Sequence, residues 1–119
     1  MPTNVPNELT DPEDHKLVTL ARTTRARTRA AEGACLRDGD GRTYAGATVD
    51  LPTLRLTAAQ VAVAMAVASG SRGLEAVVVL GDAAVLDEAD LSVVRDFGGH
   101  GVPVHLAAPD GTIVASVRS

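Results

Sequence analysis

The stretch Thr57–Leu80, TAAQVAVAMAVASGSRGLEAVVVL, decides the fold. Its first four residues, Thr57-Ala58-Ala59-Gln60, have the S/T-x-x-E/Q spacing of a capping box, in which the threonine hydroxyl and the glutamine side chain satisfy opposite ends of a helix's first turn. Val61 to Ala68 alternates Ala and Val and would also suit a strand. The box in front, the alanine content and the stop at Gly70 decide for a helix. That helix is apolar on every side, and such helices are buried on all sides. Ala76-Val77-Val78-Val79-Leu80 follows as a short, continuous, β-branched run, the pattern of a central strand covered on both faces.

Working outward, Asp11-Pro12-Glu13-Asp14 carries an N-cap, a proline at the first helical position and acids in the first turn. It predicts a helix to about Arg27, with Leu17, Leu20 and Ala21 on one face. Arg22, Arg25 and Arg29 recur along an outer stripe. Ala34-Cys35-Leu36, the turn Asp38-Gly39-Asp40-Gly41 and Thr43 to Val49 read as a β-hairpin, with a loop from Asp50 to Thr57. Asp87 to Phe97 reads as a helix with Leu91 and Val94 inward and Gly98-Gly99 as its stop. Val102 to Leu106 is a strand, Pro109-Asp110-Gly111 a turn, and Thr112 to Val117 a last strand. The order α-β-β-α-β-α-β-β predicts an α/β protein, a three-layer α/β/α sandwich on a mixed five-stranded sheet. Residues 1–10 are expected to be a flexible tail and residues 11–119 a single domain.

Composition narrows the function. At 119 residues with 45% hydrophobic content the chain has enough for one small core, and with aromatics at 2%, Tyr44 and Phe97, it lacks the rings on which nucleic-acid modules stack bases. A net charge of −4 argues against a dedicated DNA binder. Cys35 is the one cysteine, so an intrachain disulfide and a zinc site of two or more thiolates are both excluded, and a reducing cytoplasm is the expected compartment. The N-terminus is polar and acidic, unlike a signal peptide, and the apolar run Val61–Ala68 is far short of the roughly 20 residues that span a membrane. His15, His100 and His105 show no metal-ligand spacing, and no nucleophile elbow, P-loop or dinucleotide fingerprint is present.

Several segments together resemble a known family: Gly33 to Gly46, the helix end Ala66-Val67-Ala68-Ser69-Gly70, the strand Ala76–Leu80, and Val102 to Gly111. They look like the small homotetrameric bacterial cytidine deaminases, in the right element order from about Leu17 to Ser116. The resemblance implies the sandwich fold, a homotetramer, and a zinc ion held by a Cys in a C-A-E triplet at one helix start and by two Cys in P-C-x-x-C at the next. Counting back from Gly70 puts Thr57-Ala58-Ala59 at the triplet. Counting from Arg95-Asp96-Phe97 puts Leu86-Asp87-Glu88-Ala89-Asp90 at the second motif. The implied thiolates are absent, and Ala59 stands where the proton-carrying carboxylate belongs.

Hydrolytic deamination needs a metal-activated water and a carboxylate to shuttle its proton; losing the general acid/base alone typically costs a factor of about 10² to 10⁴. The replacements have a plain structural reading: Thr57 with Gln60 caps one helix, and Asp87 caps the other with Asp90 in its first turn. A hard-cation site on Asp87 and Asp90 lacks a third ligand. The family's ribose-holding Asn-x-Glu is matched by Thr48-Val49-Asp50, leaving Thr48 and Asp50 as a vestigial pocket; ordinary strand-end polarity outweighs retained nucleoside binding.

The sequence is therefore identified as a cytidine deaminase-like protein without zinc, cofactor or deaminase chemistry, an oligomeric scaffold or binding protein. Its expected partner is itself, as a homotetramer first and a dimer second, with neither membrane nor DNA among its partners. Two alternatives stand beside this: a divergent nucleoside deaminase with relocated ligands, and an RNA-associated module using the Arg22–Arg29 stripe, for which a solvated helix face is the favoured account.

Overall fold

A computed structural model of the chain describes Leu9 and residues 11–119. The expected tail, residues 1–10, lies outside the described residues apart from Leu9, which is buried and whose carbonyl oxygen is 2.9 Å from His15 Nε2. Helix α1 runs Pro12–Thr28: Asp11 caps it by accepting from the Glu13 N–H, and Arg29 ends it in the left-handed region at φ 56°. Strands β1 (Gly33–Asp38) and β2 (Thr43–Ala47) pair antiparallel. Their turn is built by Asp38, whose buried carboxylate accepts from the N–H groups of Asp40 and Arg42 and from the Ser71 hydroxyl. Those bonds, the Ser71 one foremost, hold its carboxyl below the usual range.

Two short strands follow, β3 (Val49–Leu51) and β4 (Leu54–Leu56), pairing only with each other. This corrects the expected continuation of the hairpin strand to Val49 and the plain loop after Asp50: the chain leaves the main sheet at Thr48 and turns back on itself. Helix α2 (Ala58–Ala68) begins with the complete capping box, Gln60 N–H to Thr57 Oγ1 and Thr57 N–H to Gln60 Oε1. Strand β5 (Leu74–Leu80), helix α3 (Glu88–Gly98), β6 (Pro103–Ala107) and β7 (Ile113–Arg118) complete the chain.

The main sheet has five strands in the order β2-β1-β5-β6-β7, with β5 and β6 parallel and the other neighbours antiparallel. The α3 crossover is what makes the parallel pair possible, since parallel neighbours need a long return connection. Alternation along the strands divides the core into two layers. Ala34, Leu36, Val77, Val79, Val104 and Leu106 face α2 and α3, whereas Cys35, Ala76, Val78, Leu80 and Ala107 face α1 through Leu17 and Ala21. The expected three-layer sandwich on a mixed five-stranded sheet is the observed architecture. β5 is buried from Ala76 to Leu80, as its composition predicts.

Helix α2 departs from expectation in one respect. Ala58, Ala59, Ala62, Val63 and Ala66 are buried against the sheet, but Met65 is 41% exposed and Val67 54%, so its outer face is open within one chain. One sheet covers one face of a helix, and α3 does not wrap round to the other.

Candidate functional site

The site implied by the sequence forms where α2 and α3 begin, at the ends of β1 and β2. Thr57, read as the cap of one helix, and Asp90, read as a first-turn acid of the other, are brought together: the Thr57 hydroxyl donates to Asp90 Oδ1 at 2.6 Å. Asp90 is 2% exposed, and burial, opposed by the Thr57 bond and joined by the charge of Asp87, pushes its carboxyl above the usual range. Asp90 stands in the first turn of α3, as read from the sequence, and it is buried there. Asp87 does serve as the cap of α3, accepting from the Ala89 N–H at 3.0 Å. Thr57 carries three bonds, receiving the Gln60 N–H on its hydroxyl oxygen, donating to Asp90, and giving its own N–H to Gln60. Ala59 is buried in the core and brings no functional group.

Beside this pair lies an open cavity of about 280 Å³ lined by Ala31, Glu32, Thr48, Val49, Asp50, Arg55, Leu56, Thr57 and Gln60. The vestigial ribose positions both line it, but each is already engaged. The Thr48 hydroxyl receives the Glu32 N–H at 3.0 Å, tying the end of β2 to the start of β1. Asp50 faces Arg55 across the β3–β4 ladder at 3.3 Å, with both side chains largely in solvent. Glu32 is the residue that sequence reasoning missed. It is half-buried, and burial first, then the charges of Asp90 and Asp87, raise its carboxyl above the usual value. The acid density between Asp82 and Asp90 gave no hint that a glutamate far upstream completes the cluster; only the adjoining glycine, Gly33, marks a tight approach of backbone there.

A zinc ion does not fit these residues. Cys35, the one thiol, is fully buried on the opposite face of the sheet, where burial pushes it up to about 12. His105 is also on the α1 face, aligned with Val78. Among the described residues no group of three or more His, Cys, Asp and Glu side chains is placed to hold a metal. Nor does any helix among them have the length and apolarity to cross a membrane.

The arginine stripe is partly consumed by the fold. Arg25 Nε donates to the Ala31 carbonyl at 3.0 Å and its guanidinium lies 3.9 Å from Asp82; Arg29 caps the helix through its backbone N–H and its side chain is exposed; Arg22 lies close enough to Asp110 to help hold that carboxyl low, after the Thr112 bonds.

Comparison with known proteins places this geometry in context. The chain resembles the solved cytidine deaminase of Burkholderia pseudomallei with TM-score 0.74 at 23% identity, covering 88% of this chain and 90% of that one. It resembles that of Mycobacterium leprae with TM-score 0.71 at 20% identity, over 91% and 94%. For Mycobacterium tuberculosis cytidine deaminase the values are 0.69 and 23%, over 79% and 85%. At such identities the likeness establishes the fold. Among curated protein sequences none matches. Residues 10–111 match the family described as Cytidine deaminase-like, most of the chain's length, and on that match this protein belongs to the cytidine deaminase-like family.

Proposed function

We propose that this is a cytidine deaminase-like protein that has given up zinc and hydrolysis, and that it serves as a self-associating scaffold or binding protein. The observation that carries the reading is the Thr57–Asp90 hydrogen bond of 2.6 Å: the positions the family resemblance assigns to metal ligands are spent on each other. Ala59, at the position the resemblance gives to the proton-carrying carboxylate, brings no group that could move a proton from a bound water to a base. Of the vestigial pair, Thr48 is engaged with Glu32, which weighs against nucleoside binding in the cavity.

Self-association is supported by the open face of α2. Met65 and Val67 on that helix, with Leu51 and Leu54 on the β3–β4 hairpin, are exposed large apolar side chains. Covering such side chains contributes roughly 1.5 to 3 kcal/mol each before the cost of association. A homotetramer is the first expectation and a dimer the second, in the cytoplasm. The divergent-deaminase reading has one observation in its favour, a half-buried Glu32 carboxyl at the cavity wall, raised above its usual value by burial and by the charges of Asp90 and Asp87. The RNA-associated reading is weakened by the engagement of one member of the stripe, Arg25, with the Ala31 carbonyl and Asp82.

Elemental analysis and a cytidine-to-uridine assay on the purified protein test the proposal, with no stoichiometric zinc and no turnover expected. One zinc per chain, or turnover abolished by replacing Asp87 or Asp90, would establish the enzyme reading instead. Light scattering at micromolar concentration is expected to give a multiple of the monomer mass, and Met65→Glu to reduce it; a monomer would defeat the assembly claim.

A further inference from the structure

On the sheet face opposite the candidate site, a serine, a histidine and an aspartate are drawn into line from three elements. His105 of β6 and Ser116 of β7 are paired across the ladder, and the Ser116 hydroxyl is 2.7 Å from His105 Nδ1. On the far side of the ring, His105 Nε2 lies 3.6 Å from Oδ2 of Asp14, in the first turn of α1. With Nδ1 accepting from the serine, the proton of the neutral ring sits on Nε2 and faces the carboxylate. Arg37 of β1 takes the other carboxylate oxygen, Nη1 to Oδ1 2.9 Å, and is itself shared with Glu75 of β5 through Nε at 2.8 Å, so Oδ2 is left to the histidine. His105 is 7% exposed, and its Nε2 is buried without a well-aligned partner. Ser116 is half-buried on an edge strand, beyond the strands β2, β1 and β5 on which α1 packs. Arg118 follows two residues along the same strand, exposed, with its Nη1 on the Gly101 carbonyl at 2.8 Å.

We propose that Ser116, His105 and Asp14 form an acyl-transfer site, separate from the vestigial deaminase site, with small carboxylic esters as its substrate class. Ser116 Oγ attacks the ester carbonyl carbon as its proton passes to His105 Nδ1. The imidazolium so formed donates from Nδ1 to the serine oxygen and from Nε2 to Asp14, so both neighbours stabilise the charge that the step creates. The bond to the leaving oxygen then breaks, and that oxygen takes the proton from Nδ1 and departs as the alcohol. Water repeats the sequence on the acyl-serine: its proton goes to Nδ1, its oxygen bonds the acyl carbon, and the carboxylic acid leaves as Ser116 regains its proton. Arg118 gives this face of the strand a positive charge for the carbonyl oxygen that turns negative. Burial, with a smaller push from Arg118, lowers the proton affinity of His105 against the pull of Asp14, which favours the neutral ring that a general base needs near pH 7. A half-buried hydroxyl on an edge strand admits a small acyl group. Asp14 acts through the histidine and is a positioning residue.

Labelling of the native protein with a fluorophosphonate ester, whose phosphorus an activated serine attacks with loss of fluoride, tests this when read by intact mass and peptide mapping. One adduct per chain is expected, on Ser116, and none in Ser116→Ala. The labelling rate should rise with pH along the titration of the His105 ring followed by proton NMR, because only the neutral imidazole takes the proton. His105→Gln should label roughly 10²-fold more slowly, with that pH dependence gone. Asp14→Asn should slow labelling and move the half-maximal pH downward in step with the ring's titration, a shift that a merely structural role would not produce. The native protein should also release p-nitrophenol from p-nitrophenyl acetate, and Ser116→Ala should not. No adduct, an adduct only on another residue, equal labelling of folded His105→Gln, or ester hydrolysis that is absent or survives Ser116→Ala would overturn the proposal. If a variant does not fold, the adduct's position and the pH profile of the native protein decide it.

Discussion

Removing either partner of the Thr57–Asp90 bond should loosen the junction of α2 and α3, and the size of the effect follows from the geometry. Thr57→Val deletes both the cap of α2 and the donor to Asp90. Loss of a threonine cap costs about 1 kcal/mol, and a hydrogen bond to a charged group contributes about 1.5–3 kcal/mol. Burial first, then the charge of Asp87, raise the Asp90 carboxyl, so part of the bond's worth offsets that desolvation. The low end of the range is therefore expected, giving roughly 2.5 kcal/mol for Thr57→Val. Asp90→Ala removes the bond and a costly buried charge together and should cost about 1 kcal/mol. The informative quantity is the coupling from a double-mutant cycle, measured by urea unfolding at pH 7, and about 1.5 kcal/mol is expected. A coupling under about 0.3 kcal/mol would mean that the two side chains act independently. Asp90→Ala more stable than the native protein would mean that the carboxylate is retained for something other than holding the helices.

Two further outcomes follow from the same neighbourhood. The raised Glu32 carboxyl favours the folded state while protonated, a contribution present below about pH 4.5 and lost as pH rises through its folded value, so Glu32→Gln should leave stability at pH 4 unchanged and raise it at pH 7.5; equal shifts at both pH values would contradict this. In Gly33→Ala the new methyl would be driven onto the Ala21 carbonyl oxygen and lie 3.0 Å from Arg25 Cβ, so α1 must move off β1, and a loss of about 1–3 kcal/mol in urea unfolding is expected; a neutral substitution would show that α1 is loosely seated.

The elements with strong local chemistry were legible in the sequence. The Thr57/Gln60 box, Pro12 behind Asp11, and the run Ala76–Leu80 each specify their structure within a few residues, and each appears as read. The β3–β4 hairpin was not, because strands as short as Val49–Leu51 and Leu54–Leu56 show no period, and Pro52 reads as a loop in any context. Thr48 was correctly set at a strand end, but its bond to Glu32 joins segments that only the sheet brings together. The same holds for Asp90. Spacing within α3 marks it as a first-turn acid, whereas its burial depends on where α2 starts, and nothing near it in the sequence carries that information. Asp14, Arg37 and His105 lie on separate elements, and each taken alone is an ordinary polar residue.

The run Ala76-Val77-Val78-Val79-Leu80 is uncharged, β-branched and free of proline, the composition of a segment that stacks into cross-β fibrils when it is bared. In the native chain it has β1 on one edge, β6 on the other and helices over both faces, so neither its backbone nor its side chains are offered to another molecule. Gly73 and Glu75 on one side and Gly81-Asp82 on the other interrupt it with a bend or a charge, acting as gatekeepers during synthesis, when the β6 partner has not yet been made. The strand that most secures this fold is thus also its principal aggregation hazard, and a chain arrested before Pro103 would display it with one edge unpaired.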